Sequence, residues 1–131
     1  MTLIGELYQS ADWKSEKHVP VIECQDKAAV DAPFDVTVSV GKAIAHPNTT
    51  EHHIRWIKLY FKPEGDKFSY EVGSCEFNAH GESVEGANKG NVYTDPQAIF
   101  KMKIKKSGVL FASSFCNIHG LWQSSVTIKA A

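Results

Sequence analysis

The chain has 131 residues, 43% of them apolar and 22% charged, with 14 Lys and Arg against 15 Asp and Glu. That length supports one domain with its own core and is short for two, so residues 1–131 are read as a single domain. A formal net charge of -1 lacks the basic excess that would make nucleic acid or an anionic membrane surface a partner. No apolar run reaches the roughly 18 residues needed to span a bilayer. The first ten residues hold no basic stretch followed by an apolar one, and the expected compartment is the cytoplasm.

In chain order, residues 5–12 read as a short helical piece. Residues 19–23 read as a strand, and Val36, Val38 and Val40 alternate with Thr37 and Ser39 in a second one. Asn48, with Glu51 three residues on, has the pattern of a capped helical turn. From residue 54 to 61, Ile57, Leu59 and Phe61 share one face and Trp56, Lys58 and Tyr60 the other. Phe68, Tyr70 and Val72 form a further stripe. Ala98, Phe100, Met102 and Ile104 face opposite to Lys101 and Lys103, residues 109–115 are apolar enough for burial on both faces, and residues 125–129 give a last short strand. Turn signals separate these runs at 63–66, 86–91, 95–96 and 106–108. Seven short strands with little helical periodicity predict an all-β, immunoglobulin-like antiparallel β-sandwich.

Loops at one end of such a sandwich lie together, so distant loop residues can share a site. His18 opens the first strand, His46 and His52 precede the strand near Ile54, and Cys116 and His119 follow the apolar run ending at Phe115. One thiolate and four imidazoles exceed the four ligands of structural zinc. They suit a redox-active first-row metal taking five or six ligands, with iron the leading candidate. A C-x-x-H near the end of a β-sandwich also raises a blue-copper site, which wants two histidines and a methionine soon after them. The only methionines are Met1 and Met102, and neither follows Cys116. His53 adjoins His52 and points the other way in an extended chain, so it is not expected to reach the same ion. His80 is not expected to either. The three cysteines make no disulfide framework, and Cys24 and Cys75 read as buried free thiols in or beside strands.

Three motifs occur in order: Glu16-Lys17-His18-Val19-Pro20, His46-Pro47-Asn48-Thr49-Thr50-Glu51-His52-His53, and Cys116-Asn117-Ile118-His119-Gly120-Leu121-Trp122. Together with stretches such as Val92-Tyr93-Thr94-Asp95-Pro96, they make the chain resemble the neelaredoxin-type superoxide reductases from about Asp12 to Val126. It resembles the single-iron form, related to the C-terminal domain of desulfoferrodoxin, because no C-x-x-C pair precedes Glu16 to supply a second iron. The resemblance implies an immunoglobulin-like fold and one-electron reduction of superoxide to hydrogen peroxide at a mononuclear non-haem iron. It implies His18, His46, His52 and His119 as nitrogen ligands and Cys116 as the axial thiolate. Lys17 would attract superoxide and assist protonation, and Glu16 would take the sixth position on ferric iron. A rubredoxin-like donor and a homotetramer are further implications. An iron electron-transfer protein without turnover, or a blue-copper-like binding protein, is the alternative reading.

Overall fold

A computed structural model describes residues 1–131 as two packed β-sheets. Eight strands form: β1 (Pro20–Glu23), β2 (Lys27–Ala28), β3 (Phe34–Val40), β4 (Ile54–Pro63), β5 (Tyr70–Glu76), β6 (Gln97–Met102), β7 (Gly108–Cys116) and β8 (Gly120–Ala130). One sheet has the order β1-β3-β6 and the other β2-β8-β7-β4-β5. The seven expected strands are all present; the eighth, β2, is a two-residue parallel pairing of Lys27 and Ala28 with Lys129 and Ala130 at the edge. No helix is long and apolar enough to cross a membrane.

The alternation read from the sequence becomes the core. Val36 and Val38 of β3 and Ile57, Leu59 and Phe61 of β4 are buried together with Ala98 of β6. β7 is fully buried along one face and only in part along the other, which corrects the expectation of two buried faces: Leu110, Ala112, Ser114 and Cys116 are at most 1% exposed, whereas on the opposite face Ser113 is buried, Val109 and Phe115 are half-buried and Phe111 is 38% exposed. Cys116 is therefore the last inward position of a core strand, and its sulfur is aimed by strand periodicity rather than by a loop. Ile54 is out of phase with Ile57 yet equally buried, because the β4–β7 register shifts between Ile54 and Trp56. Arg55 is the extra residue there. This bulge turns the start of β4, and the segment leading into it, at the end of the sandwich where Cys116 lies.

Local departures have local causes. Of the helical piece expected over residues 5–12, only the first part is helical, as a 3-10 turn at Ile4–Leu7, and none of its residues is buried. No helical turn follows Asn48, because its amide does not cap: it donates to the Thr94 hydroxyl (2.8 Å) and carbonyl and accepts from Ile54 N–H (3.0 Å). Phe68 lies outside β5 and is largely exposed. Cys24 and Cys75 are free thiols packed against the core but only half-buried, since each sits near a sheet edge.

Candidate metal centre

Strand pairing brings the predicted residues to one end. In the smaller sheet Pro20 pairs with Val40, so His18, just before β1, and His46, just after β3, share that end. In the larger sheet Cys116 pairs with both Ile54 and Gly120, which sets His52 beside Cys116 and His119. Gly41 keeps the approach to His46 tight. Its φ is +88°, and a Cβ there would stand 2.4 Å from the His46 backbone nitrogen.

Ligand-capable atoms of His18, His52, Cys116 and His119 all lie within 4.8 Å of one another. His18 Nε2 is 3.0 Å from His119 Nδ1, which is itself 3.6 Å from Cys116 Sγ. The His119 amide donates to that sulfur at 3.4 Å. His46 is outside this tightest group, but its ring centroid is 4.8 Å from His18 and 4.6 Å from His52. His18–His119 and His52–His119 are 4.5 and 5.0 Å. The four rings thus close a loop in the order His18, His46, His52, His119, and the His18–His52 diagonal of 6.1 Å is longer than every edge. Cys116 is fully buried and His119 exposed, so the cluster runs from core to surface.

The protonation pattern fits a metal. His18 Nδ1 donates to the Glu16 carboxylate at 2.5 Å and His46 Nδ1 to the Pro47 carbonyl at 2.5 Å. Those oxygens only accept, so in the neutral rings each Nε2 carries a lone pair. Nε2 of His46 and of His52 is buried without a hydrogen-bond partner. Burying such an atom unpaired is unfavourable, and a cation that takes the lone pairs removes the cost. Imidazoles with one soft sulfur are the donor set of a first-row transition metal.

The family model for desulfoferrodoxin matches residues 10–125. The chain is 69% identical over 123 residues to the neelaredoxin of Megalodesulfovibrio gigas, covering 94% of this chain and 95% of that one. It is 58% identical to the superoxide reductase of Pyrococcus furiosus, covering 97% and 100%. Its fold superposes on the superoxide reductase (neelaredoxin) of Archaeoglobus fulgidus in the reduced form with a TM-score of 0.88 at 60% identity, covering 94% and 98%. The chain belongs to the desulfoferrodoxin family.

In this desulfoferrodoxin-family chain the remaining predicted residues fall into distinct environments. The Glu16 carboxylate lies on His18, accepting from both its ring and its backbone N–H (2.7 Å), and is not among the clustered donor atoms. Burial raises its pKa, but those hydrogen bonds outweigh burial and leave it below the ordinary carboxylate value. Lys17 is half-buried and in no ion pair. Burial pushes the pKa of His46 down to about 4, and burial also lowers His18 and His52; the positive charge of Lys17 adds to the fall in all three. His53 and His80 stack on each other instead, with centroids 3.6 Å apart and planes 11° from parallel. His53 Nδ1 is held by the Thr49 carbonyl (2.9 Å) and His80 Nδ1 by Glu82 (3.2 Å).

Two contributors escaped the sequence reading. The Trp122 indole stacks on His18 with centroids 5.0 Å apart and a 15° tilt, and Ser114 Oγ donates to the His18 carbonyl at 3.4 Å. Trp122 stood in the third motif, but what turns it inward is its pairing opposite the buried Ser114, which the sequence does not display.

These lowered histidines give the metal-free protein a pH dependence. Between the ordinary histidine value of 6.5 and about 4, an unfolded chain protonates the imidazole that folded His46 keeps neutral. The unfolded state then binds more protons, so unfolding free energy rises with pH across that window and is lost on acidification. The denaturant midpoint of metal-free protein is expected to be lower at pH 5 than at pH 7.5; a midpoint that holds or rises would contradict this.

Proposed function

We infer that this chain is a superoxide reductase using a mononuclear non-haem iron held by His18, His46, His52, His119 and Cys116. The observation that carries the reading is the closed ring of four imidazoles beside a fully buried thiol, with two buried Nε2 atoms that have no other partner. Iron held there would supply one electron to superoxide, which with two protons becomes hydrogen peroxide. His18, His46 and His52 offer Nε2 and His119 offers Nδ1, all as neutral donors. Cys116 offers a thiolate, the form in which a thiol binds a metal, and the His119 amide hydrogen bond steadies its charge. One thiolate cancels only part of the ion's charge, so the site draws an anion despite the slightly acidic protein.

Lys17 adds to that attraction. Its ammonium has no carboxylate partner, lies close enough to lower three ligand histidines, and can pass a proton to the reduced oxygen species through water. Glu16 holds the His18 tautomer in the arrangement seen here, and, tethered two residues before the first ligand, its carboxylate would be the further oxygen donor to the oxidised ion once product has left. Each turnover consumes an electron, so a donor protein is required. A rubredoxin-like protein is that donor in our reading, with a homotetramer in the cytoplasm as the working form.

Metal analysis and rapid mixing test this. Iron-replete reduced protein should give one hydrogen peroxide per superoxide consumed and no dioxygen. Dioxygen evolution would mean dismutation, and an absence of reaction in iron-replete protein would leave only electron transfer. Lys17→Ala should slow the reaction with superoxide about tenfold while leaving iron bound, because focused positive charge raises an anion's on-rate. The wild-type rate should fall with salt more steeply than the variant's. An unchanged rate and salt slope in an iron-replete variant would remove Lys17 from this role.

A further inference from the structure

Asn117 sits in a turn, where asparagine is ordinarily a local turn former. Here the left-handed position of that turn is taken by Gly120, with φ +80°, and the Asn117 side chain reaches across to the loop carrying His52. Asn117 Oδ1 accepts from His53 N–H at 2.8 Å, and Nδ2 donates to the Glu51 carbonyl at 2.9 Å. The Asn117 backbone N–H donates to the His53 carbonyl at 3.1 Å. Partner chemistry fixes the orientation of the amide, because turning it over would set an N–H against an N–H and an oxygen against a carbonyl.

These bonds bracket one ligand. They grip the residues on either side of His52, and they start from the residue next to Cys116. The β4–β7 ladder has its last pair at Ile54 and Cys116, so His52 lies two residues beyond the end of the sheet. Within its own loop His52 is closed only on Thr49, whose amide donates to the His52 carbonyl at 2.8 Å. Nothing in that local closure sets the distance from His52 to the sulfur. Asn117 supplies that constraint: its backbone N–H extends the pairing to the His53 carbonyl, and its side chain carries the grip across His52 to Glu51.

We propose that Asn117 is a positioning residue that sets the His52-to-Cys116 separation, and with it the strength and geometry of metal binding. This rests on the ligand set inferred above but not on superoxide chemistry. The test uses full-length, iron-loaded protein and two readouts independent of turnover: the rate of iron release to excess chelator, and the energy of the thiolate-to-iron charge-transfer band of the oxidised protein. Asn117→Ala removes both side-chain bonds and should release iron about tenfold faster, the usual scale for groups that orient ligands, with a shifted band. Asn117→Asp keeps an acceptor for His53 N–H and should recover part of the loss; it also carries the test if the alanine variant does not fold. A merely structural role would lower the melting temperature of both variants and leave release rate and band as in wild type, and that result overturns the proposal while sparing the ligand set. A wild-type protein without a thiolate band overturns both.

Discussion

Cys116→Ser should abolish superoxide reduction and remove the thiolate-to-iron charge-transfer band, while the fold and part of the iron remain. Cys116 is the last inward residue of β7 and fully buried, so a hydroxyl in its place keeps the backbone but presents a hard, neutral, shorter donor. The His119 amide that donates to sulfur at 3.4 Å would face a weaker acceptor. Four imidazoles can still retain metal, which is why band and turnover should disappear before iron content does. Absorption spectra of the oxidised variant, read beside iron quantification, decide the matter: a variant keeping both band and full turnover would show that Cys116 is not a ligand.

The histidines should divide into two groups. Alanine at His18, His46, His52 or His119 should cost most of the bound iron, whereas alanine at His53 or His80 should leave iron content close to wild type. The reason is geometric. The first four rings close one loop beside the Cys116 sulfur, whereas a buried Nε2 without a partner occurs in His46, His52 and also His80 and does not by itself separate the groups. His53 and His80 are stacked in parallel at 3.6 Å, with Nδ1 of each occupied elsewhere. Planes so nearly parallel direct their lone pairs side by side rather than toward a common point. Iron per chain measured across the six variants should separate the groups, and equal losses in both would refute the assignment.

Much of this architecture was legible because strand periodicity and core burial are the same fact seen twice. Ile57, Leu59 and Phe61 alternate in the sequence and are buried in the structure. β2 was not legible, since two residues have no period. The bulge at Arg55 was hidden for a related reason: Ile54 and Ile57 cannot share a face on a regular strand, and only the pairing with β7 reveals how they do. Asn48 followed by Glu51 has the form of a helix start, but partners in the Thr94 region and at Ile54 claim its amide first. At the site, histidine and cysteine announce themselves by chemistry. Asn117 and Trp122 do not, because their roles depend on partners more than sixty positions away, backbone groups of Glu51 and His53 for Asn117 and the His18 ring for Trp122.

His18 and His46 hang from the three-stranded sheet, while His52, Cys116 and His119 hang from the five-stranded one. A single ion shared among them would be a cross-link between layers, tying residue 18 to residue 119 in a chain whose three cysteines are all free. Such a tie closes a loop over most of the polypeptide, and the free energy of metal capture adds to that of folding. Metal supply would then govern persistence as well as catalysis. Metal-free protein would be expected to unfold at lower denaturant concentration than metal-loaded protein.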